Sequence, residues 1–294
     1  MKKLVRVALS FLLAAVVGFA AAGEAPAKFS KGLLWKIEKT STRSSYVFGT
    51  IHLDDARVTD LPAPVKETFA RSKSFTMEMI IDEASTQKFA ASMLLDDGSD
   101  LKVLLGEPLY TKTTEAMREY GMPSEITARF KPWALMLTLI LPKVRQGVIV
   151  DDVLYQQALQ QNKSVHQLEG VEEQISVFDG LPMEIQVGLL KQTVDHRDLI
   201  PGMIEKSIQA YLKRDIGAMW VINNSMMEDE ADKSLNEAFL QRVLYDRNKR
   251  MAGRIQPLLA EGGAFIAVGA LHLYGEKGVL SLLQSSGYRV TRIY

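Results

Sequence analysis

The sequence predicts an α+β fold. A central mixed sheet is formed by strand-helix-strand units at the N- and C-terminal ends of the chain, and the middle is a largely helical cap region. Short apolar runs of strand type gather within residues 33–80 and 264–293, while the sequence between them spaces its apolar residues at helical intervals. Gly, Pro and Ser clusters mark the transitions. The runs 33–38 and 45–48 flank a turn rich in Ser, Thr and Arg and read as a hairpin. Pro62 and Pro64 open a helical pattern over 65–71, and 74–80 is a third strand. The spacing turns helical from 84 to 161, through Leu101, Val103, Leu104 and Leu105, then Trp133, Leu135, Met136, Leu139 and Ile140, then 150–159. A short strand returns at 164–169, and helical patterns run with interruptions over 171–259. A strand at 264–268, a helix at 278–284 and, after the stop signal Gly287, a strand at 288–293 close the chain.

The 294 residues, 47% hydrophobic and 24% charged, describe an ordinary folded protein long enough for one large domain or two small ones. Lys plus Arg and Asp plus Glu both number 35, so no bulk field gathers nucleic acid, and a nucleic-acid role is disfavoured. Cysteine is absent, which removes disulfides, thiolate metal sites and cysteine nucleophiles together. Any metal site has to use His, Asp and Glu. Lys2, Lys3 and Arg6, the apolar run 7–17, and Ala20, Ala21 and Ala22 before Gly23 follow the plan of a secretory signal peptide. The expected organisation is therefore a leader at 1–22 and a single domain at 23–294, with a helical insert or cap at about 84–161. The apolar run is too short for a comfortable membrane span, so the mature chain is expected to be periplasmic or secreted, without a stable membrane span. Losing three basic residues with the leader leaves 32 against 35 acids, a formal charge of −3. No motif specifies an oligomer.

One short duplication stands out. Phe48, Gly49, His52 and Leu53 repeat as Val268, Gly269, His272 and Leu273, each set at the end of a strand candidate. Residues just past strand ends face the ligand crevice of open α/β sheets, and a glycine there permits a sharp turn or close approach. Two of only four histidines occupy this context; His166 in a strand and His196 in a charged helical stretch read as structural or solvated. Glu78 lies among apolar residues, and Glu169 ends the strand at 164–169. Carboxylates in such places call for a metal ion, a His⁺ or an Arg as partner, unless they face outward on an edge strand. Asp54 and Asp55 follow His52 closely, with solvation the default reading. Two imidazoles and one or two carboxylates make a nitrogen and oxygen site suited to Mn²⁺, Co²⁺ or Zn²⁺, able to activate water. Arg247 and Asn248 can supply polar support to such a site; taken alone, their stretch reads as a charged helix face.

With Leu34, Trp35, Lys36 and Ile37, the two Gly-x-x-His motifs, Met77 with Glu78, and the closing Gly275, Gly278, Leu282, Leu283, Gly287, Tyr288 and Val290, the chain resembles the TraB/GumN family. Gly147, Asp151, Leu154, Ala158, Lys163, Ser164, Val165, Leu168, Glu169, Glu173, Gln174, Arg247, Asn248, Met251 and Ala252 agree in order. The resemblance covers nearly the whole mature chain, and its specific part is the pair of Gly-x-x-His motifs with an acidic strand between them. It implies an α+β core with both motifs and the glutamate at one site. It also implies metal-dependent proteolysis favouring Mn²⁺ or Co²⁺ over Zn²⁺, as in the animal Tiki members. Carried over, it puts His52 and His272 at the metal and Glu78 at the metal or as general base. Arg247 and Asn248 fall in the supporting shell, with Glu169 a further metal ligand and Asp151 a further candidate. Two departures are Leu271, where many relatives have a glycine, and the lack of the membrane anchor typical of animal members. The expectation is an exported metal-dependent hydrolase, a peptidase acting on a peptide or a small ester or amide. The alternatives are a metal-free esterase or amidase with His as base, as related erythromycin-esterase-like proteins suggest, and a non-catalytic envelope binding or assembly protein.

Overall fold

The computed structural model describes residues 27–96, 98–142, 147–224 and 233–294, and the expected leader at 1–22 lies outside them. The predicted hairpin forms from β1 (Leu34–Glu38) and β2 (Ser45–Thr50), antiparallel with Leu34 opposite Phe48. Helices α1 (Ala56–Thr59) and α2 (Ala63–Arg71) lead into β3 (Ser74–Met77). The remaining strands are β4 (Ser164–Gln167), β5 (Ala264–Gly269) and β6 (Arg289–Arg292). They form one mixed sheet in the order β4-β3-β5-β2-β1-β6. The contiguous strands β4, β3, β5 and β2 run parallel, and β1 pairs antiparallel with both β2 and β6. The α+β class with a mixed sheet is therefore as predicted.

Burial follows position in this order. Central β5 is buried at every residue, as a parallel strand covered on both faces requires, and its unbroken apolar run supplies that surface. Edge strands β4 and β6 are largely exposed. Both β3 and β4 end earlier than their apolar patterns suggest, at Met77 and Gln167. Leu168 N donates to the Met77 carbonyl at 2.9 Å and Glu169 N to the Glu78 carbonyl at 2.8 Å, so the two backbones stay paired past the strand ends. Phe48, Phe69, Phe75 and Phe265 pack on and against the sheet, with Phe69 edge-on to Phe265 at 5.2 Å.

The middle of the chain is helical as expected: α3 (Glu83–Ser92), α4 (Leu101–Leu105), α5 (Glu107–Arg118), α6 (Ser124–Thr127), α7 (Pro132–Leu139) and α8 (Val150–Gln160). After β4 come α9 (Val171–Asp179), α10 (Met183–Asp195), α11 (Ile200–Leu212), α12 (Ile216–Asn224) and α13 (Lys233–Leu240). All eight residues of α7 are buried, the pattern of a helix enclosed by others. Its Trp133 joins a chain of rings with Phe89, Phe178 and Phe239 that ties α3, α7, α9 and α13 together. A π-helical segment, Gln241–Tyr245, leads into α14 (Asp246–Glu261), and α15 (Val279–Ser285) fills the last β5-to-β6 connection. Among the described residues, no helix is long and apolar enough to cross a membrane.

Candidate active site

Four parallel strands present their carboxyl ends on one side of the sheet. His52, Glu78, Glu169 and His272 each follow one of these ends within three residues, at the crevice where open parallel sheets bind ligands. Because β2 and β5 are neighbours with Gly49 opposite Val268 and Thr50 opposite Gly269, the two Gly-x-x-His motifs lie side by side. The first glycine is required by that proximity: a Cβ at Gly49 would stand 3.0 Å from the Ala270 Cα and the Leu273 Cδ1. The Tyr211 hydroxyl donates to the Gly49 carbonyl at 2.9 Å and holds the turn from above.

Both histidines are oriented through Nδ1. His52 Nδ1 lies 3.1 Å from Asp151 Oδ2, and the other Asp151 oxygen accepts from Thr50 Oγ1 at 3.1 Å. His272 Nδ1 donates to the Asn248 side-chain oxygen. The Asn248 Nδ2 donates to the Lys277 carbonyl at 2.9 Å, which identifies the atom facing the ring as oxygen. Both Nε2 atoms consequently turn inward, each 4.0 Å from the same Glu78 Oε1. His272 Nε2 is buried with no hydrogen-bond partner among the described residues.

Glu78 is buried and held at both oxygens. Oε1 accepts from Gly269 N at 2.7 Å, and Oε2 from Arg247 Nη2 at 2.7 Å. The fully buried Arg247 also donates from Nε and Nη2 to Glu169 Oε2, at 2.9 and 2.6 Å. Its Nη1 reaches the Val243 carbonyl, in the π-helical segment, at 3.3 Å. Arg250, partly exposed, approaches the other Glu169 oxygen at 3.3 Å.

Charge explains the protonation tendencies. Burial raises the Glu78 carboxyl above its ordinary range, against the pull of Arg247 and His52. Burial also pushes His52 down, but the Asp151 and Glu78 carboxylates outweigh it and leave the imidazole above its usual value. His272 is driven well below its usual value by burial and then by Arg247 and His52, which disfavours the charged ring. For Arg247, burial is outweighed by Glu169 and Glu78, which hold it charged.

Two neutral-capable Nε2 donors, a carboxylate oxygen between them and an outer acceptor on each Nδ1 are the donor types and the orientation that a divalent cation takes. Glu78 and Glu169 share the buried Arg247, while Asp151 faces His52. These residues fit a metal in chemistry, but the 4.0 Å spans are wide for ligands of one ion. Among the described residues, no three such side chains form a ready-made cage.

The structure thus brings His52, Glu78, Glu169, Arg247, Asn248 and His272 into one buried cluster. Glu169 touches Arg247 and Arg250 rather than a histidine. Arg247 and Asn248 are completely buried, which corrects the charged-face reading of their stretch: Met251, Ile255 and Leu259 continue the stripe that Arg247 begins, one turn apart. That spacing was available in the sequence as a signal for burial. The acid beside His52 is Asp151, from the first turn of α8. Asp55 instead caps α1 and pairs with Arg57, and Asp54 accepts from Gly147 N at 3.2 Å. His166 is exposed on β4, and His196 places its Nδ1 3.0 Å from the Gln192 carbonyl at the end of α10. Thr50 and the Gly269 amide were missed as site residues, since a hydroxyl and a backbone N–H carry no signature in a single chain.

Comparison with known proteins gives the family. The model of the TraB/PrgY/gumN family matches residues 33–292. The chain is 27% identical to "Metalloprotease TIKI2" of Danio rerio, over 90% of this chain and 61% of that protein. It is 26% identical to "Metalloprotease TIKI1" of Homo sapiens, over 87% and 61%. It is 25% identical to "Uncharacterized protein YbaP" of Shigella flexneri, over 82% of this chain and 88% of that one. The chain spans about three fifths of the length of these Tiki relatives. No solved structure matches it. With the family model spanning the sheet, the helical layer and every member of the buried cluster, the chain belongs to the TraB/PrgY/gumN family.

Proposed function

We propose that the chain is an exported, metal-dependent hydrolase of the peptidase kind. The observation that carries this reading is the convergence of His52 Nε2 and His272 Nε2 on one Glu78 oxygen, each ring steered by an acceptor on its far nitrogen. The names of the Tiki relatives support it. His52 and His272 would hold the ion, with Glu78 as third ligand or as the base that takes a proton from water. A divalent cation bound there supplies a Lewis acid and an acidified water. Water adds hydroxyl to the carbonyl carbon and a proton to the leaving nitrogen, and the amide C–N bond breaks.

The protein's own groups do the rest. Asp151 and Asn248 keep both Nε2 atoms facing inward. Arg247 holds Glu78 and Glu169 in place and carries positive charge beside the reacting region. Glu169, fixed by Arg247 and Arg250, is placed to stabilise that arginine, and a role as further ligand requires it to turn from Arg247. Following the resemblance, Mn²⁺ or Co²⁺ is favoured over Zn²⁺.

Elemental analysis and thermal unfolding of residues 23–294 test the proposal. At a hundredfold excess over its Kd, a bound ion adds about 2.7 kcal/mol of stability. A near-stoichiometric metal and a rise in Tm with Mn²⁺ or Co²⁺ are expected in the wild type, and both are expected to vanish in His52→Ala and in His272→Ala. No metal and no stabilisation in the wild type would sink the reading. Recovery of the chain from a periplasmic fraction with Gly23 as its first residue checks export.

One observation favours a second reading. With Asp151 3.1 Å from His52 Nδ1, His52 has the partner of a metal-free general base toward an ester or amide. Turnover that survives exhaustive chelation is the outcome that selects it.

A further inference from the structure

A cleft opens beside His52. Its floor is Thr50 to Leu53 and Gly269 to Leu271, the ends of the two motif strands, and its walls include Met136, Leu189, Met203, Ile204, Met219 and Phe239. Among the described residues, no Asp, Glu, Lys or Arg lines it. Several of its polar side chains are spent on the protein itself. Thr193 Oγ1 donates to the Leu189 carbonyl at 2.9 Å, Asn223 Nδ2 to the Met219 carbonyl at 2.8 Å, and Thr50 Oγ1 to Asp151 at 3.1 Å.

Charge is present close by but kept out. A neighbouring cavity shares Ile200 and Ile204 with the cleft and carries Glu119, Arg197 and Asp198. Arg197 Nη1 pairs with Glu119 Oε1 there at 3.2 Å. The two isoleucines therefore divide an ionic cavity from one that reaches His52 and whose described lining offers a charged group no counter-charge. Three methionines, Met136, Met203 and Met219, line the His52 side, and their flexible thioethers adapt to apolar groups of differing shape.

We propose that this cleft is the specificity subsite of the hydrolase and takes a large uncharged side chain, of the size of Leu, Met or Phe, flanking the amide to be hydrolysed. The proposal rests on the hydrolytic reading of the His52 site.

The test uses neutral peptides that differ at one position, Leu, Met, Phe, Gly, Asp or Lys, with the Mn²⁺- or Co²⁺-supplemented protein. One missing methylene in an apolar pocket changes kcat/KM by about 10- to 200-fold. The Leu, Met and Phe peptides are therefore expected to exceed the Gly, Asp and Lys peptides by at least about tenfold. Met203 and Ser207, both on α11, are half-buried cleft residues outside the buried cluster. Met203→Asp is expected to abolish the preference by lowering kcat/KM for the Leu, Met and Phe peptides at least about tenfold, and Ser207→Trp to move the preference to Gly by filling the space. Calorimetric binding of the same peptides is measured in parallel, with Tm as the check on folding. Tight binding of the apolar peptides that Met203→Asp weakens at least tenfold, without turnover, upholds the subsite and overturns the hydrolase reading. Turnover with a flat or charge-preferring profile overturns the subsite alone, and so does binding indifferent to both substitutions.

Discussion

Arg247 carries the charge balance of the buried cluster. It is completely buried between Glu78 and Glu169, and removing one partner from such a set leaves carboxylates in a medium that does not solvate them. Arg247→Met is expected to cost about 3–5 kcal/mol in urea unfolding. Adding Glu169→Gln is expected to recover part of the loss, because the second substitution removes an uncompensated charge. Asp151 acts on orientation instead: it contacts the outer nitrogen of His52. At the proposed metal site, Asp151→Asn is expected to weaken Mn²⁺ or Co²⁺ binding by about 10- to 100-fold, measured by titration, and to leave the urea midpoint close to that of the wild type. The histidines and Glu78 were legible because the motif repeats within a few residues and a carboxylate in an apolar run demands a partner. The partner was not: Arg247 lies 169 positions from Glu78 and 78 from Glu169, and only the fold joins them.

Where elements meet, backbone crowding does what side chains do within the cluster. Gly278 caps α15 at an ordinary φ of −74°, so its requirement is for space. A Cβ there would stand 2.5 Å from the Tyr274 carbonyl oxygen and 2.6 Å from that of Leu273. The adjacent Lys277 carbonyl is the acceptor that fixes Asn248, which in turn orients His272. Gly278→Ala is accordingly expected to cost about 1–3 kcal/mol through forced backbone movement, seen as a lower urea midpoint, and to reduce metal-induced stabilisation as well. Equal stabilisation by metal in wild type and variant would separate α15 from the site. At this scale the hairpin, the helical middle and the closing strand-helix-strand unit were all readable from periodicity. Strand ends were less so. The residues 78–80 and 168–169 continue an apolar pattern, but the Glu78 and Glu169 side chains are held by Arg247 just past the β3 and β4 ends. Strand order was hidden for a different reason: β5, late in the chain, inserts between β2 and β3, and periodicity carries no information about neighbours.

Over the whole molecule, the site is assembled from residues between Thr50 and His272, so its geometry depends on the sheet and the helical layer staying together. The buried apolar residues form one continuous cluster running from Leu34 and Phe265 in the sheet through Trp133 in α7 to Tyr211 and Trp220 in α11 and α12. β1 closes the sheet by pairing the first hairpin with β6, the last strand. A helical insert that folded by itself would need a polar or thinly packed boundary with the sheet. Instead Asp151 of α8 reaches His52 after β2, and Tyr211 of α11 reaches the Gly49 carbonyl within β2. Cooperative unfolding is the expected consequence, although chains of this length often populate intermediates. The three tryptophans report on different layers: Trp35 lies in β1, Trp133 in α7 and Trp220 in α12. In variants that each retain a single tryptophan, fluorescence and far-ultraviolet circular dichroism are expected to give the same urea midpoint once each variant's own stability is taken into account. A Trp133 or Trp220 transition clearly ahead of that of Trp35 would show the helical layer separating from the sheet. The cluster would then lose Asp151 before the motif strands unfold, and any metal affinity would fall with the first transition.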